Sequence, residues 1–286
     1  MAAYKIITDS CADFTQKQYR ELDVDYAPLS LLLKGELHEN FTENHQAKSL
    51  YDAMRAGEMP TTSAANPDGW AKVMEPYLKE GMDILCLTFS SALSTTYQSA
   101  VIAGQELGEQ YPDRKIIVID SRCAALGQGL LVWYTCRQRD AGLSLEELAA
   151  WVEENKLRIC HWVTVDDLFH LKRGGRVSAT TAIVGTMLNV KPIIHVNNEG
   201  QLISVAKVRG RKAAMDTLVK KYEQHVADRQ MAFIAHGDCP EEAAELEAIL
   251  KERCGVQNTM IGYVGGVIGA HTGPGVLVVF FLGDHR

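Results

Sequence analysis

Hydroxyl side chains crowd four short stretches of the sequence: Thr8-Asp9-Ser10, Pro60-Thr61-Thr62-Ser63, Thr88-Phe89-Ser90-Ser91-Ala92-Leu93-Ser94-Thr95-Thr96-Tyr97, and Asp120-Ser121. A hydroxyl both donates and accepts, so several converging on one point are suited to holding a carboxylate or a phosphate. Ser94 opens an amphipathic segment and is placed as the N-cap of a helix, whose free N–H groups and positive dipole end attract an anion. The plainer reading is that Ser94 only caps that helix. Between Gly262 and Gly275 six glycines surround Ala270-His271-Thr272. Such a stretch offers little to a core and lets backbone approach a ligand. His271 inside it can hold a carboxylate oxygen, act as a base, or bond turn carbonyls.

Two basic clusters interrupt an otherwise acidic chain, Lys172-Arg173-Gly174-Gly175-Arg176-Val177-Ser178 and Lys207-Val208-Arg209-Gly210-Arg211-Lys212. Each reads either as an anion contact or as a solvated face. No GxxxxGK followed by Ser or Thr occurs, and no GxGxxG opens a helix after the first strand, so no nucleotide site of the chain's own is visible. Ser94, His271 and Asp9 or Asp120 are the members a hydrolytic triad would draw on. The GxSxG elbow is absent, which leaves a serine esterase using Ser94 and His271 as the alternative to a binding role. The nine histidines contain no HxxxH or HxH pair, and the seven cysteines no CxxC, so neither a metal site nor a disulfide framework is expected.

The elements that must carry these groups show a βα rhythm. Apolar runs at Tyr4–Thr8, Ala27–Leu33, Asp83–Phe89 and Lys115–Ile119 read as strands covered on both faces, as in an open parallel sheet. Ligands of such sheets bind beyond the carboxyl ends of the strands, where the hydroxyls lie. A helix is expected from Ser94 to about Tyr111, stopped by Pro112, and another from the capping box Ser144-Leu145-Glu146-Glu147 to about Lys156. Beyond it the chain offers a strand at Arg158–Val165, a hairpin of Ile193–Val196 and Gln201–Val208, a helix from Pro240 to Cys254 stopped by Gly255, then strands at Asn258–Tyr263 and Val276–Leu282 around a glycine loop.

With 286 residues, 47% hydrophobic and 23% charged, the chain has the composition of an ordinary globular protein. The expected fold is α/β in two domains, an N-terminal mostly parallel open sheet flanked by helices over 1–157 and a C-terminal mixed α/β domain over 158–286, with strand exchange between them left open. The net charge of −7 argues against nucleic acid. No apolar run approaches a bilayer span, no targeting segment is evident, and the free cysteines suit a reducing cytoplasm.

Over nearly its whole length the chain resembles the DegV family of bacterial fatty-acid-binding proteins. The resemblance rests on Thr8-Asp9-Ser10, Thr62-Ser63 after Pro60, Ser90-Ser91-Ala92-Leu93-Ser94-x-Thr96-Tyr97-Gln98-Ser99-Ala100, Val118-Ile119-Asp120-Ser121, Gly174-Gly175-Arg176-Val177-Ser178, Lys191-Pro192-Ile193-Ile194, Lys207-Val208-Arg209 and Gly269-Ala270-His271-Thr272-Gly273-Pro274-Gly275. It implies one long-chain fatty acid held between the domains, its carboxylate fixed by Thr62, Ser94 and His271, with Ser63, Ser91 and Thr95 as further head-group contacts. It also implies a non-catalytic carrier, without cofactor, that presents the carboxylate to a separate ATP-dependent fatty acid kinase subunit for acyl-phosphate formation, Arg173, Arg176 and Arg209 facing the kinase or the anionic head. A regulatory ligand sensor without a kinase is a third reading. Two positions depart from the family pattern, Thr95 in place of Gly and Ala65 in place of Pro. The first is expected to alter the head-group pose, because a β-branched residue lacks the backbone freedom of Gly.

Overall fold

The computed structural model describes residues 4–39, 43–166, 168–177 and 189–286; Ser178 of the first basic cluster lies outside them. Three sheets organise the described residues. The first is wholly parallel, in the order β2 (Val24–Ala27), β1 (Tyr4–Asp9), β6 (Asp83–Thr88), β7 (Ile116–Asp120). Every residue of β1 is buried, as its continuous apolar run requires of a strand covered on both faces. A small antiparallel sheet joins β4 (Glu36–Glu39), β3 (Ser30–Leu33) and β5 (Thr61–Ser63). The third runs β10 (Leu202–Arg209), β9 (Val190–Val196), β8 (Ile159–Thr164), β13 (Leu277–Leu282), β11 (Met231–His236), β12 (Asn258–Tyr263), antiparallel except for the β11–β12 pair.

Helices α1 (Gln16–Glu21), α2 (Asn44–Arg55), α3 (Pro67–Lys79), α4 (Thr96–Gln110), α5 (Leu126–Asp140), α6 (Leu145–Asn155), α7 (Phe169–Arg173), α8 (Arg211–His225), α9 (Pro240–Cys254) and α10 (Gly266–Thr272) cover the sheets. Their ends follow local chemistry. Ser144 and Glu147 form the reciprocal capping box of α6, and Gly255 stops α9 with φ 71°. Helix α5 packs against β6 on one side and β8, β11 and β13 on the other, tying the parallel sheet to the six-stranded one.

The structure departs from the sequence expectations at four places. Of the run Ala27–Leu33 only Ala27 belongs to the parallel sheet, as the end of β2, and Ser30–Leu33 is β3 of another sheet; the break falls at Pro28, which lacks a donor and restrains the residue before it, and the next N–H, of Leu29, donates to Ser10 Oγ at 3.0 Å instead. Within the hydroxyl-rich stretch 60–63, where no strand was expected, Thr61–Ser63 forms β5. The glycine loop contains α10, and its glycines serve close packing: a Cβ on Gly269 would fall 2.6 Å from the Tyr51 hydroxyl, which donates to Val264 O at 2.8 Å. Helix α4 begins at Thr96 with Thr95 as its cap residue, and Ser94 instead bridges the turn, its Oγ accepting from Thr96 N at 3.2 Å.

The core falls into separate clusters because strands of the six-stranded sheet are apolar on both faces. Val276, Val278 and Phe280 join the cluster that includes α5. Leu277, Val279 and Phe281 belong to the cluster under α8 and α9. Adjacent residues of one strand thus serve opposite compartments, as the period-2 geometry of a strand demands. All seven cysteines are free. Among the described residues, no helix is long and apolar enough to cross a membrane.

Candidate functional site

A cavity of about 480 Å³ lies where the carboxyl ends of the parallel strands meet the inner face of the six-stranded sheet. Thr62, Ser63, Ser91, Ser94, Thr95, Arg176 and His271 all contribute to its wall. Most of the remainder is aliphatic or aromatic, including Leu93, Val163, Ile194, Val278 and Phe280.

The polar groups form a connected cluster. Thr62 on β5 is held by pairing with Leu31 of β3, and its Oγ1 lies 2.8 Å from His271 Nε2. His271 sits in the last turn of α10, and its Nδ1 is buried without a hydrogen-bond partner. That nitrogen faces Gly174 so closely that any side chain there would collide with it. Two residues on, Arg176 donates to Leu93 O at 3.2 Å and to Gly174 O, linking the α7 turn to the residue before Ser94. Arg173 lies behind α10, donating to Pro60 O at 3.3 Å and Ala270 O at 3.1 Å. Burial first, then the charges of Arg176 and Arg173, press the His271 pKa down to about 4. At neutral pH the imidazole is therefore uncharged, and the guanidinium groups supply the local positive field. A neutral ring N–H, two hydroxyls and that field suit a carboxylate.

Ser94 is placed by two carboxylates that are not part of any triad. Asp9 is fully buried, accepting from Cys11 N at 3.0 Å and Phe89 N at 2.6 Å. Desolvation outweighs these bonds and pushes its pKa up to about 6. Asp120 accepts from Ser91 N at 3.1 Å and from Ser91 Oγ at 2.5 Å. Together they pin residues 89–91 at the start of the turn that carries Ser94. The Ser94 hydroxyl meets Thr96 Oγ1 at 2.8 Å, and neither Asp9 nor Asp120 engages His271, so a Ser-His-Asp relay is not assembled.

Other sequence candidates have different fates. Thr8, Thr88, Ser90 and Ser121 are fully buried, and their hydroxyls bond internally rather than lining the cavity. Thr95 has φ −78°, an ordinary value, so its β-branched side chain is accommodated without the backbone freedom of Gly. Ala65 is buried in the core cluster of α3 and β6. Arg209 ends the edge strand β10, exposed, and does not line the cavity.

Sequence reasoning did not single out His161. It is buried in the cavity wall on β8, with Nδ1 2.9 Å from Ile159 O and Nε2 accepting from Ala124 N at 3.2 Å. A carbonyl only accepts and an amide N–H only donates, so the ring is neutral with its proton on Nδ1; burial holds its pKa well below the usual histidine range. Its neighbours in register are Phe280 and, through Trp162 and His195, the end of β9. His161 and Phe280 thus lie one inward-facing step beyond Val163 and Val278, away from the start of β13.

The profile of the DegV family, described as an uncharacterised protein family, matches residues 3–284. A DegV domain-containing protein of Clostridium perfringens is 44% identical over 100% of this chain and 99% of its own length. The crystal structure of a DegV lipid binding protein from Thermotoga maritima superposes with a TM-score of 0.87 at 28% identity, covering 100% of both chains. That of a DegV family protein from Thermus thermophilus, described for its fatty acid binding, gives 0.86 at 31% identity over 97% of this chain and 98% of the other. The sequence relationship and the shared architecture agree along the whole chain, and it belongs to the DegV family.

Proposed function

We propose that this protein binds one long-chain fatty acid, its carboxylate at Thr62, Ser94 and His271 and its acyl tail along the apolar wall, and that it presents the head group to a separate ATP-dependent kinase for acyl-phosphate formation. The observation that carries the reading is the amphipathic cavity, with a neutral imidazole, hydroxyls and Arg176 gathered around α10 and an apolar wall beyond. Fatty acid binding by the Thermus thermophilus relative supports it. Burying about fifteen methylenes at about 0.8 kcal/mol each gives roughly 12 kcal/mol before the costs of association, so the tail supplies affinity and the head supplies position. Ser63, Ser91 and Thr95 add hydroxyls around the head group, and Arg173 and Arg176 steer the anion. The carrier contributes no catalytic group of its own, and the ligand lies between a 1–157 domain and a 158–286 domain. Native mass spectrometry of the purified chain, followed by denaturation and organic extraction, tests this reading. One fatty acid per chain is expected; a ligand-free protein that takes up no added fatty acid would overturn it.

A further inference from the structure

Past the carboxyl end of β13, three potential metal donors meet. His225 is the last residue of α8, and Asp284 and His285 follow Leu282, the last residue of β13. One donor atom from each of the three lies within 4.8 Å of the others. No short sequence motif announces the group, because its members come from segments some sixty positions apart.

The backbone fixes this arrangement. Ala227 N donates to Leu282 O at 3.0 Å and Asp284 N to His225 O at 3.0 Å, with Val226 and Gly283 bridged between them. Arg286 then anchors the chain on the far side of the donors, bonding Ile159 O at 2.9 Å, Asn197 O at 3.0 Å and Lys156 O at 3.2 Å. Cys160 Sγ also reaches His285 O, at 3.3 Å. Asp284 and His285 are therefore held between two fixed points while their side chains remain exposed. The two imidazoles stand edge to face with centroids 5.1 Å apart, and Trp162 stacks on the His225 ring at 5.9 Å. His225 Nδ1 is shielded from solvent yet has no hydrogen-bond partner, an unmet donor or acceptor beside an aspartate and a second histidine.

We propose that His225, Asp284 and His285 bind a divalent transition metal ion of the imidazole-preferring class, with Zn2+ the representative. Two imidazoles and one carboxylate favour Zn2+, Ni2+ or Cu2+ over Mg2+ or Ca2+, which seek all-oxygen shells. Metal–donor bonds of about 2.0–2.2 Å put tetrahedral donors about 3.4 Å apart, so rotation of the two exposed side chains closes the site. Binding exchanges the 2.9 Å contact of His285 Nδ1 with Asp284 Oδ1 for coordination and leaves one position for water. The ion would clip the end of α8 to the segment after β13. Six strand residues at about 3.3 Å each separate it from the head-group end of the cavity, roughly 20 Å, so it takes no part in holding the carboxylate.

Titration of the untagged, chelator-treated full chain with Co2+ tests the proposal. One Co2+ per chain with the visible absorption of a four-coordinate ion is expected, displaced by Zn2+, together with a higher Tm in Zn2+. His285→Gln, at an exposed position, should keep the metal-free Tm and weaken Co2+ binding at least tenfold; His225→Gln should weaken it as much. Absence of saturable binding below about 1 mM would overturn the proposal. So would binding that survives His285→Gln, which would trace the ion to other donors such as the half-buried Cys239.

Discussion

Gly174 and His271 are packed so tightly that a Cβ added to the glycine would lie 2.2 Å from the ring's Nδ1. The backbone of Gly174 is ordinary, with φ −74°, so space and not conformation calls for glycine here. Gly174→Ala should therefore push the imidazole off Thr62 rather than strain the turn. The expected outcome is a loss of at least tenfold in fatty acid affinity with a Tm drop of only a few degrees, read by ligand titration and thermal melting. Unchanged affinity would mean that the imidazole position does not matter to the ligand.

Burial and the neighbouring Arg176 and Arg173 hold the His271 pKa down at about 4, below the ordinary histidine value of about 6.5. The unfolded chain then binds the extra proton between those values, so its contribution to stability is complete above about pH 6.5 and is lost as the pH falls toward 4. Between pH 7 and pH 5 the loss from this residue is about 2 kcal/mol. Denaturant unfolding of wild type and His271→Gln should show the variant losing less over that interval; parallel curves would sink the assignment. Bound carboxylate should raise the His271 pKa by opposing the two arginines, measurable by NMR titration with and without ligand.

Val278 and Val279 offer a paired experiment. Val278→Phe adds bulk to the cavity and should cut affinity for long-chain acids at least tenfold while leaving the ligand-free Tm near its starting value. Val279→Phe overpacks the cluster beneath α8 and α9, costing about 1–3 kcal/mol of stability with little effect on binding. The reverse pattern would show that the wall has been assigned to the wrong face.

Ser94→Ala and Thr62→Ala should each reduce acyl-phosphate formation by a partner kinase by more than tenfold, with melting temperatures within a few degrees of wild type. Ser94 should also resist time-dependent labelling by a fluorophosphonate, since no base is aligned on it. Rapid labelling would instead favour the serine esterase.

Three strands of the parallel sheet, β1, β6 and β7, were legible as mostly apolar runs, whereas β2, Val-Asp-Tyr-Ala, was reached only at its last residue, Ala27. Where Pro28 split a run, the apolar signal continued across a change of sheet, and only the missing donor marked the break. Thr62, Ser94 and His271 were grouped only through the resemblance, since each alone has an adequate structural explanation; the structure places all three on one cavity wall. The cavity wall was not legible: β13 is buried on both faces, so alternation, the usual sign of sidedness, is absent. His161 was hidden for the same reason, a lone histidine in an apolar strand. Thr8, Thr88, Ser90 and Ser121 looked like ligand groups because a sequence shows hydroxyls but not the carbonyls and amides that engage them.

The division of β13 between two compartments has a consequence for how this chain can change length. Deleting or inserting one residue within Leu277–Leu282 would exchange the two sets of side chains, turning the cavity wall toward α8 and α9 and bringing their packing surface into the cavity. The same change would slip the pairing with both β8 and β11, because β13 is hydrogen-bonded on both edges. Point substitutions can reshape the cavity one side at a time, whereas single-residue insertions and deletions must be confined to the connections outside this strand.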